Sequence, residues 1–259
     1  IILDSAAAMT IESANATTFT VGHAMTQTVG HGFSLTGGQA MTITSGNSWN
    51  YGLTGNHGKI DLKDNAGTDR ILYIGSLDSG AHASVSLGHK AGNDQAGGYN
   101  VCVGYKAGED LISGGDGNVL LGYEAGKDLT TSDANIAIGR DALPVATTST
   151  EHIAIGLEAG YSKTTGDRIL AIGYKAGYGV TTGDENMFIG DISGYNFTTG
   201  TRNCLVGRRT GGSNRTSSAY NTMLGQEAGA QGSGTINHNV FIGYYAGKEC
   251  EGNDNVLIG

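Results

Sequence analysis

Proline is nearly missing from this chain: Pro144 is the only one in 259 residues, set against 45 glycines. With little proline and no glycine at every third position, a collagen helix is excluded. Cysteine is also scarce. Cys102 and Cys204 fall inside short apolar triplets and Cys250 lies in a loop, so neither a disulfide framework nor a CxxC metal spacing is present; buried or incidental thiols are expected. There is no apolar run of about 18 residues, the length a membrane helix needs, so no membrane insertion is expected. Charge is thin, at 15% of residues, and its balance is acidic, with 24 acids against 15 bases and a net charge of −9. Without a cluster of Lys and Arg, nucleic acid and anionic membrane are poor partners. No nucleophile motif or phosphate loop occurs, which argues against an enzyme and against a bound cofactor.

What the chain does have is a ruler of glycines: Gly75, Gly88, Gly104, Gly122, Gly139, Gly156, Gly173, Gly190, Gly207, Gly225, Gly243 and Gly259. From Gly122 to Gly207 the step is 17 residues each time, and elsewhere it is 13 to 18. Each glycine closes an apolar triplet such as Val119-Leu120-Leu121, Ile136-Ala137-Ile138 or Met187-Phe188-Ile189. Self-similarity at a short fixed period marks one supersecondary unit stacked on copies of itself, so residues 71–259 are expected to form an all-β, parallel solenoid of about 17-residue coils. Regular apolar spacing with so little charge also excludes disorder.

The rest of the unit repeats too. An asparagine precedes the triplet at Asn100, Asn118, Asn135, Asn186, Asn203, Asn221, Asn239 and Asn255. An Ala-Gly pair follows the glycine at 91–92, 107–108, 125–126, 159–160, 176–177, 228–229 and 246–247, and Thr-Thr pairs mark the return. Mechanical roles fit each of these. Glycines at Gly88, Gly104, Gly122, Gly139, Gly156, Gly173, Gly190, Gly207, Gly225 and Gly243 are corners, where a Cβ would obstruct the next coil. Asn suits turns, and in a stack its amide can bond the amide above.

The triplets are apolar at their middle position as well as at their ends. Leu120, Ala137, Ala154, Ala171, Phe188, Leu205, Met223, Phe241 and Leu257 hold that middle position. A strand buried on one face should alternate with polar residues. If the outer positions fill the interior, the middle residues form an exposed apolar stripe, and they are the expected contacts of a homotrimer.

Residues 1–46 carry a shorter period. Met9-Thr10-Ile11-Glu12, Thr17-Thr18-Phe19-Thr20, Met25-Thr26-Gln27-Thr28, Phe33-Ser34-Leu35-Thr36 and Met41-Thr42-Ile43-Thr44 recur every eight residues, separated by small turn-formers. At about 3.3 Å per strand residue, eight residues have too little contour to enclose a core in one chain, whereas three chains wound together can. This array resembles the octapeptide-repeat triple-stranded β-helices of phage needles and tail fibres. Residues 47–70 break both periods and read as a junction, with Trp49 a packing plug. Further on, units such as Asn135-Ile136-Ala137-Ile138-Gly139 and Leu170-Ala171-Ile172-Gly173-Tyr174-Lys175-Ala176-Gly177 resemble the head repeats of trimeric autotransporter adhesins, and also repeats of phage and viral fibre proteins. The adhesin heads use a shorter coil of about 14 residues. The resemblance implies a trimeric β-roll.

Other chemistry is weaker. Asp133, Asp167, Asp184 and Asp254 sit at matching loop points, as solvated turn residues or a weak cation ladder. His23 and His31 share a Gly-His turn and are the weak metal candidates; turn-exposed histidines are the plainer reading. Tyr105, Tyr123, Tyr174 and Tyr244 directly follow ruler glycines and are weak glycan-contact candidates along one exposed edge. The chain begins at Ile1 without a basic leader and ends at Gly259 inside a repeat, so a longer parent chain is expected. The expected function is a stiff trimeric shaft of a phage tail fibre or similar extracellular appendage displaying a receptor-binding surface, its partners being copies of itself and a cell-surface glycan or receptor. A bacterial adhesin head, a polysaccharide-cleaving tailspike and an ice-binding solenoid are the alternatives.

Overall fold

Aliphatic and β-branched residues fit a pleated surface, and a glycine at positive φ ends the pleat where no side chain is tolerated. In the computed structural model this produces strands of minimal length. The chain divides into two units, Ile1–Tyr51 and Gly52–Gly259. The structure describes residues 60–63, 70–76, 83–92, 98–112, 114–148, 150–212, 215–232 and 234–259, so the octad array, His23, His31 and Trp49 lie outside the described residues.

Among the described residues thirteen strands form one sheet in chain order. They are β1 (Ile60–Lys63), β2 (Arg70–Ser76), β3 (Ala83–Leu87), β4 (Val101–Val103), β5 (Val119–Leu121), β6 (Ile136–Ile138), β7 (Ile153–Ile155), β8 (Leu170–Ile172), β9 (Met187–Ile189), β10 (Cys204–Val206), β11 (Thr222–Leu224), β12 (Val240–Ile242) and β13 (Val256–Ile258). From β3 onward every pairing is parallel and in register, triplet on triplet, as in Val119↔Ile136, Leu120↔Ala137 and Leu121↔Ile138. The result is a parallel β-solenoid of about ten coils of about 17 residues. β1, β2 and β3 pair antiparallel, with Gly75 opposite Ser84. Gly75 is therefore not a rung of the ruler, and stacking starts at β3 instead of at residue 71.

Backbone pairing between coils continues past the strands. In one coil, Gly122 N–H donates to Val103 O at 2.8 Å, Glu124 N–H to Tyr105 O at 2.8 Å, Gly126 N–H to Ala142 O at 2.9 Å and Ala134 N–H to Asp116 O at 2.9 Å. Turning the corners while keeping these bonds requires left-handed backbone at several points per coil. The ten ruler glycines from Gly88 to Gly243 have φ between +127 and +138. At Gly139, an added Cβ would sit 2.5 Å from the carbonyl oxygen of Gly156, so coils approach too closely there for any side chain.

Inside, the Asn column is a hydrogen-bonded ladder. Asn118 Nδ2 donates to Asn100 Oδ1 at 3.1 Å, Asn135 to Asn118 at 3.0 Å, Asn203 to Asn186 at 2.9 Å and Asn221 to Asn203 at 2.9 Å, and each Oδ1 also accepts the backbone N–H of the coil above. These residues are 0–2% exposed.

The core corrects the assignment of the strand faces. Leu120, Ala137, Ala154, Ala171, Phe188, Leu205, Met223 and Phe241 are all 0% exposed and fill the interior of their own coil, so they do not face a partner chain. Only Leu257, on β13, is open, at 40%. The flanking residues point outward and are half-buried or exposed. Volumes inside compensate. Where Ala137, Ala154 and Ala171 leave room, Leu143 and Ile169 fill it, and where Phe188 is large it packs against Phe197 at 5.7 Å opposite Gly177 and Gly194.

Candidate functional site

The interior carries polar groups, but they are enclosed. At position 152 the Asn ladder holds a histidine. His152 N–H donates to Asn135 Oδ1 at 3.0 Å, and its Nδ1 accepts from Ile169 N–H at 3.2 Å, while Nε2 is buried without a partner. Burial first, then the nearby Lys163 charge, pushes its pKa down to about 4. Lys163 is itself 0% exposed; Nζ donates to Gly183 O at 2.6 Å, and burial lowers its pKa to about 8 against the pull of Asp184 and Asp167. Arg215 is also fully buried, donating through Nε to Gly229 O and through Nη2 to Cys250 O, both at 2.9 Å, with Nη1 unpaired. Burial raises the Cys102 thiol to about 12, which leaves it inert.

The acids at the loop corner are engaged by backbone. Asp133 Oδ1 accepts Asp116 N–H at 2.7 Å, Asp167 Oδ1 accepts Thr150 N–H at 3.0 Å and Asp184 Oδ1 accepts Asp167 N–H at 2.9 Å. Asp254 lies elsewhere, in a column of left-handed residues with φ of 55 to 60 running from Ala134 through Glu151, Arg168, Glu185, Arg202, Tyr220 and His238. Charges alternate along that column. Arg168 lies 3.7 Å from Glu151 and 3.0 Å from Glu185, and Arg202 lies 2.7 Å from Glu185, so the Arg202 and Arg168 guanidiniums hold the Glu185 carboxyl below its ordinary range. Among the described residues no group of three or more His, Cys, Asp and Glu could hold a metal.

Two outward features remain. The first is the outer face of the strands, where the flanking residues form two mostly aliphatic columns: Val101 and Val103, Val119 and Leu121, Ile136 and Ile138, Ile153 and Ile155, Leu170 and Ile172, and on to Val256 and Ile258, with Met187, Cys204 and Thr222 interrupting the first. Eleven parallel strands at about 4.8 Å carry these columns over about 48 Å. Cys204 lies in one of them, its Sγ 3.8 Å from Met187 Sδ.

The second is aromatic. Tyr105, Tyr123, Tyr174 and Tyr244 are 41–60% exposed, but they do not make one continuous edge. Tyr105 stacks on Tyr123 at 5.1 Å and on His89 at 5.3 Å; Tyr174 sits under Lys175, and Tyr244 tilts against Tyr245. A second column, not anticipated from the sequence, is Tyr161, Tyr178 and Tyr195, stacked at 5.1 and 5.0 Å. Its signal was present as a tyrosine five residues after three successive ruler glycines. The Thr pairs are likewise on the surface with both members, and the first hydroxyl of several donates to the coil above, as Thr130 does to Thr147 O at 2.7 Å. The chain matches no protein-family model, no curated protein and no solved structure.

Proposed function

We propose that this chain is a structural and adhesive segment, a stiff homotrimeric shaft of a phage tail fibre or similar extracellular appendage that displays a receptor-binding surface. The observation that carries the reading is the pair of aliphatic columns on the outer face of the sheet. At about 48 Å by about 10 Å they cover roughly 500 Å² of flat surface, at the upper end of the largest apolar patch typical of soluble monomers. In-register coils repeat the rung at one spacing, so a second and third copy meet this face with the same spacing. The octads at 9–46, too short to close a core in one chain, favour three copies over two.

Native mass tests it. Three times the 26.5 kDa of one chain is expected, and Ile138→Asp with Ile155→Asp, both pointing away from the interior, are expected to release folded monomers. A parent chain that runs as a monomer would sink the reading.

A further inference from the structure

The tyrosine column stops abruptly. Tyr161, Tyr178 and Tyr195 lie in a near-parallel stack, each plane within 9° of its neighbour's, and the next two coils carry Gly212 and Ala230 at the same position. One face of the Tyr195 ring is covered by Tyr178. Where the next ring would stand, a hollow of about 480 Å³ opens, bordered by Tyr195, Tyr174, Asn196, Arg209, Glu227 and Gln231. That volume lies within the roughly 300–1,000 Å³ of small-molecule sites.

The rim of the hollow has hydrogen-bonding capacity with no protein partner. Arg209, Glu227 and Gln231 make no side-chain hydrogen bond or ion pair among the described residues, in a solenoid where Lys175, Arg168, Arg202 and Arg208 all find a carboxylate. Asn196 bridges the gap through Nδ2 to Gly212 O at 2.9 Å, which leaves its Oδ1 as a further acceptor. A flat aromatic face surrounded by a guanidinium, a carboxylate and an amide suits a ring that is apolar on its face and carries hydroxyls on its edge. Hydroxyls donate and accept at once, so they satisfy Arg209 and Glu227 together. An aromatic ligand would cover Tyr195 but leave those groups desolvated and unpaired.

We propose that this hollow is a carbohydrate subsite that takes one pyranose ring, stacked on Tyr195 in the place of the missing rung. The proposal rests on the fibre reading for the source of the ring, a host surface glycan, and it deepens that reading by naming the ligand class and its place. Tyr195 supplies the stacking face; Arg209, Glu227 and Gln231 bind edge hydroxyls.

Saturation-transfer NMR on the full chain tests it, with the methyl glycosides of glucose, galactose, mannose and N-acetylglucosamine as probes. Transfer to the ring protons of at least one probe is expected. Tyr195→Ala is expected to weaken that binding by about tenfold or more. Gly212→Tyr, which adds the missing rung, is expected to abolish it; Gly212 lies outside the left-handed region, and its added Cβ meets Arg209 O at 3.0 Å and Ala230 O at 3.5 Å. Tyr161→Ala, at the far end of the column, is expected to leave binding unchanged. No transfer to any of the four probes, or transfer that survives Gly212→Tyr, overturns the subsite; should Gly212→Tyr fail to fold, unchanged binding by Tyr195→Ala does so. Native mass on the same sample separates the two ideas. A trimer that binds no probe overturns the subsite alone, and a monomer that binds overturns the fibre reading alone.

Discussion

His152→Asn restores a rung that this chain lacks, and the structure sets the expected gain. An asparagine with another asparagine in the coil below donates Nδ2 to that amide oxygen, as Asn118, Asn135, Asn203 and Asn221 do, and several donate also to a loop carbonyl fourteen residues ahead, as Asn118 does to Ser132 O at 2.9 Å and Asn186 to Gly200 O at 2.7 Å. For position 152 that carbonyl belongs to Gly166. An asparagine there meets Gly166 O and Asn135 Oδ1 with its two donors and keeps an oxygen for Ile169 N–H. It also removes the stranded Nε2. Two hydrogen bonds gained and one buried orphan removed, less the packing lost with the ring, amount to about 1–2 kcal/mol at neutral pH.

The pH dependence is the sharper test. Nδ1 accepts from Ile169 N–H, so the ring is neutral, and a proton on Nδ1 breaks that bond. The folded value is about 4 against an ordinary value of 6.5, so between these limits the unfolded chain holds a proton that the folded chain refuses. Stability from this group is complete above pH 6.5 and is lost as pH falls toward 4. At about 1.4 kcal/mol per pH unit, with both ends of the window rounded off, the parent should lose about 2.5 kcal/mol more than His152→Asn between pH 7 and pH 4.5. Carboxylates not coupled to position 152 titrate equally in both proteins and cancel in the difference, whereas Asp167, which the His152 charge helps to hold down, belongs to the effect being measured. Denaturant unfolding of both chains at the two pH values measures it. A stability gap that is the same at pH 7 and pH 4.5 would refute the argument.

Three further outcomes are expected. Gly139→Ala combines a φ of +129 with a Cβ 2.5 Å from Gly156 O, and should cost more than about 2 kcal/mol, read as a lower melting temperature. Lys163, whose folded value is about 8 against 10.5, contributes stability that is complete above pH 10.5 and lost as pH falls to 8; the gap between parent and Lys163→Met should therefore change by about 3 kcal/mol across that window in denaturant titrations, and remain flat below it. If the outward face is covered in the proposed trimer, Cys204 should react slowly with maleimide in the parent and quickly in Val206→Asp; equal rates would place the outward face in solvent.

The period, the strand positions and the turn glycines were legible because each is a one-residue signal repeated many times. The start of the solenoid was less so. Leu72-Tyr73-Ile74-Gly75 has the sequence of a rung yet pairs antiparallel with β3, since a triplet and a glycine state that a strand ends but not which way its neighbour runs. Chemistry inside the coil was hidden for a similar reason. Lys163 and Arg215 fall at loop positions where a long cation reads as solvated, and only the close approach of the next coil, where Gly183 O and Gly229 O lie, turns them inward. The hollow beside Tyr195 was legible only as an absence, because Gly212 and Ala230 attract no notice until the tyrosines below them are seen to stack.

Which face of the strand looks outward was decidable from sequence, by a residue outside the triplet. An apolar triplet of three fits either parity, since period two leaves both assignments open. The asparagine before it does not. If its amide bonds the amides of adjacent coils, it lies within the wall, out of competition from water; two residues later, the middle of the triplet must share that side. Asn118 and Leu120 are both 0% exposed, as are Asn135 and Ala137, so the ladder fixes the parity for every coil that has one. The alanines say the same, because a 17-residue coil is narrow and three successive small residues at 137, 154 and 171 suit its inside, while stacked isoleucines suit a flat sheet surface. The consequence is an exchange of roles. In the proposed trimer the contacts with another chain fall to Ile136 and Ile138, Ile153 and Ile155 and their equivalents, and a polar substitution at Ala137 or Ala154 would unfold the coil before it could report on assembly.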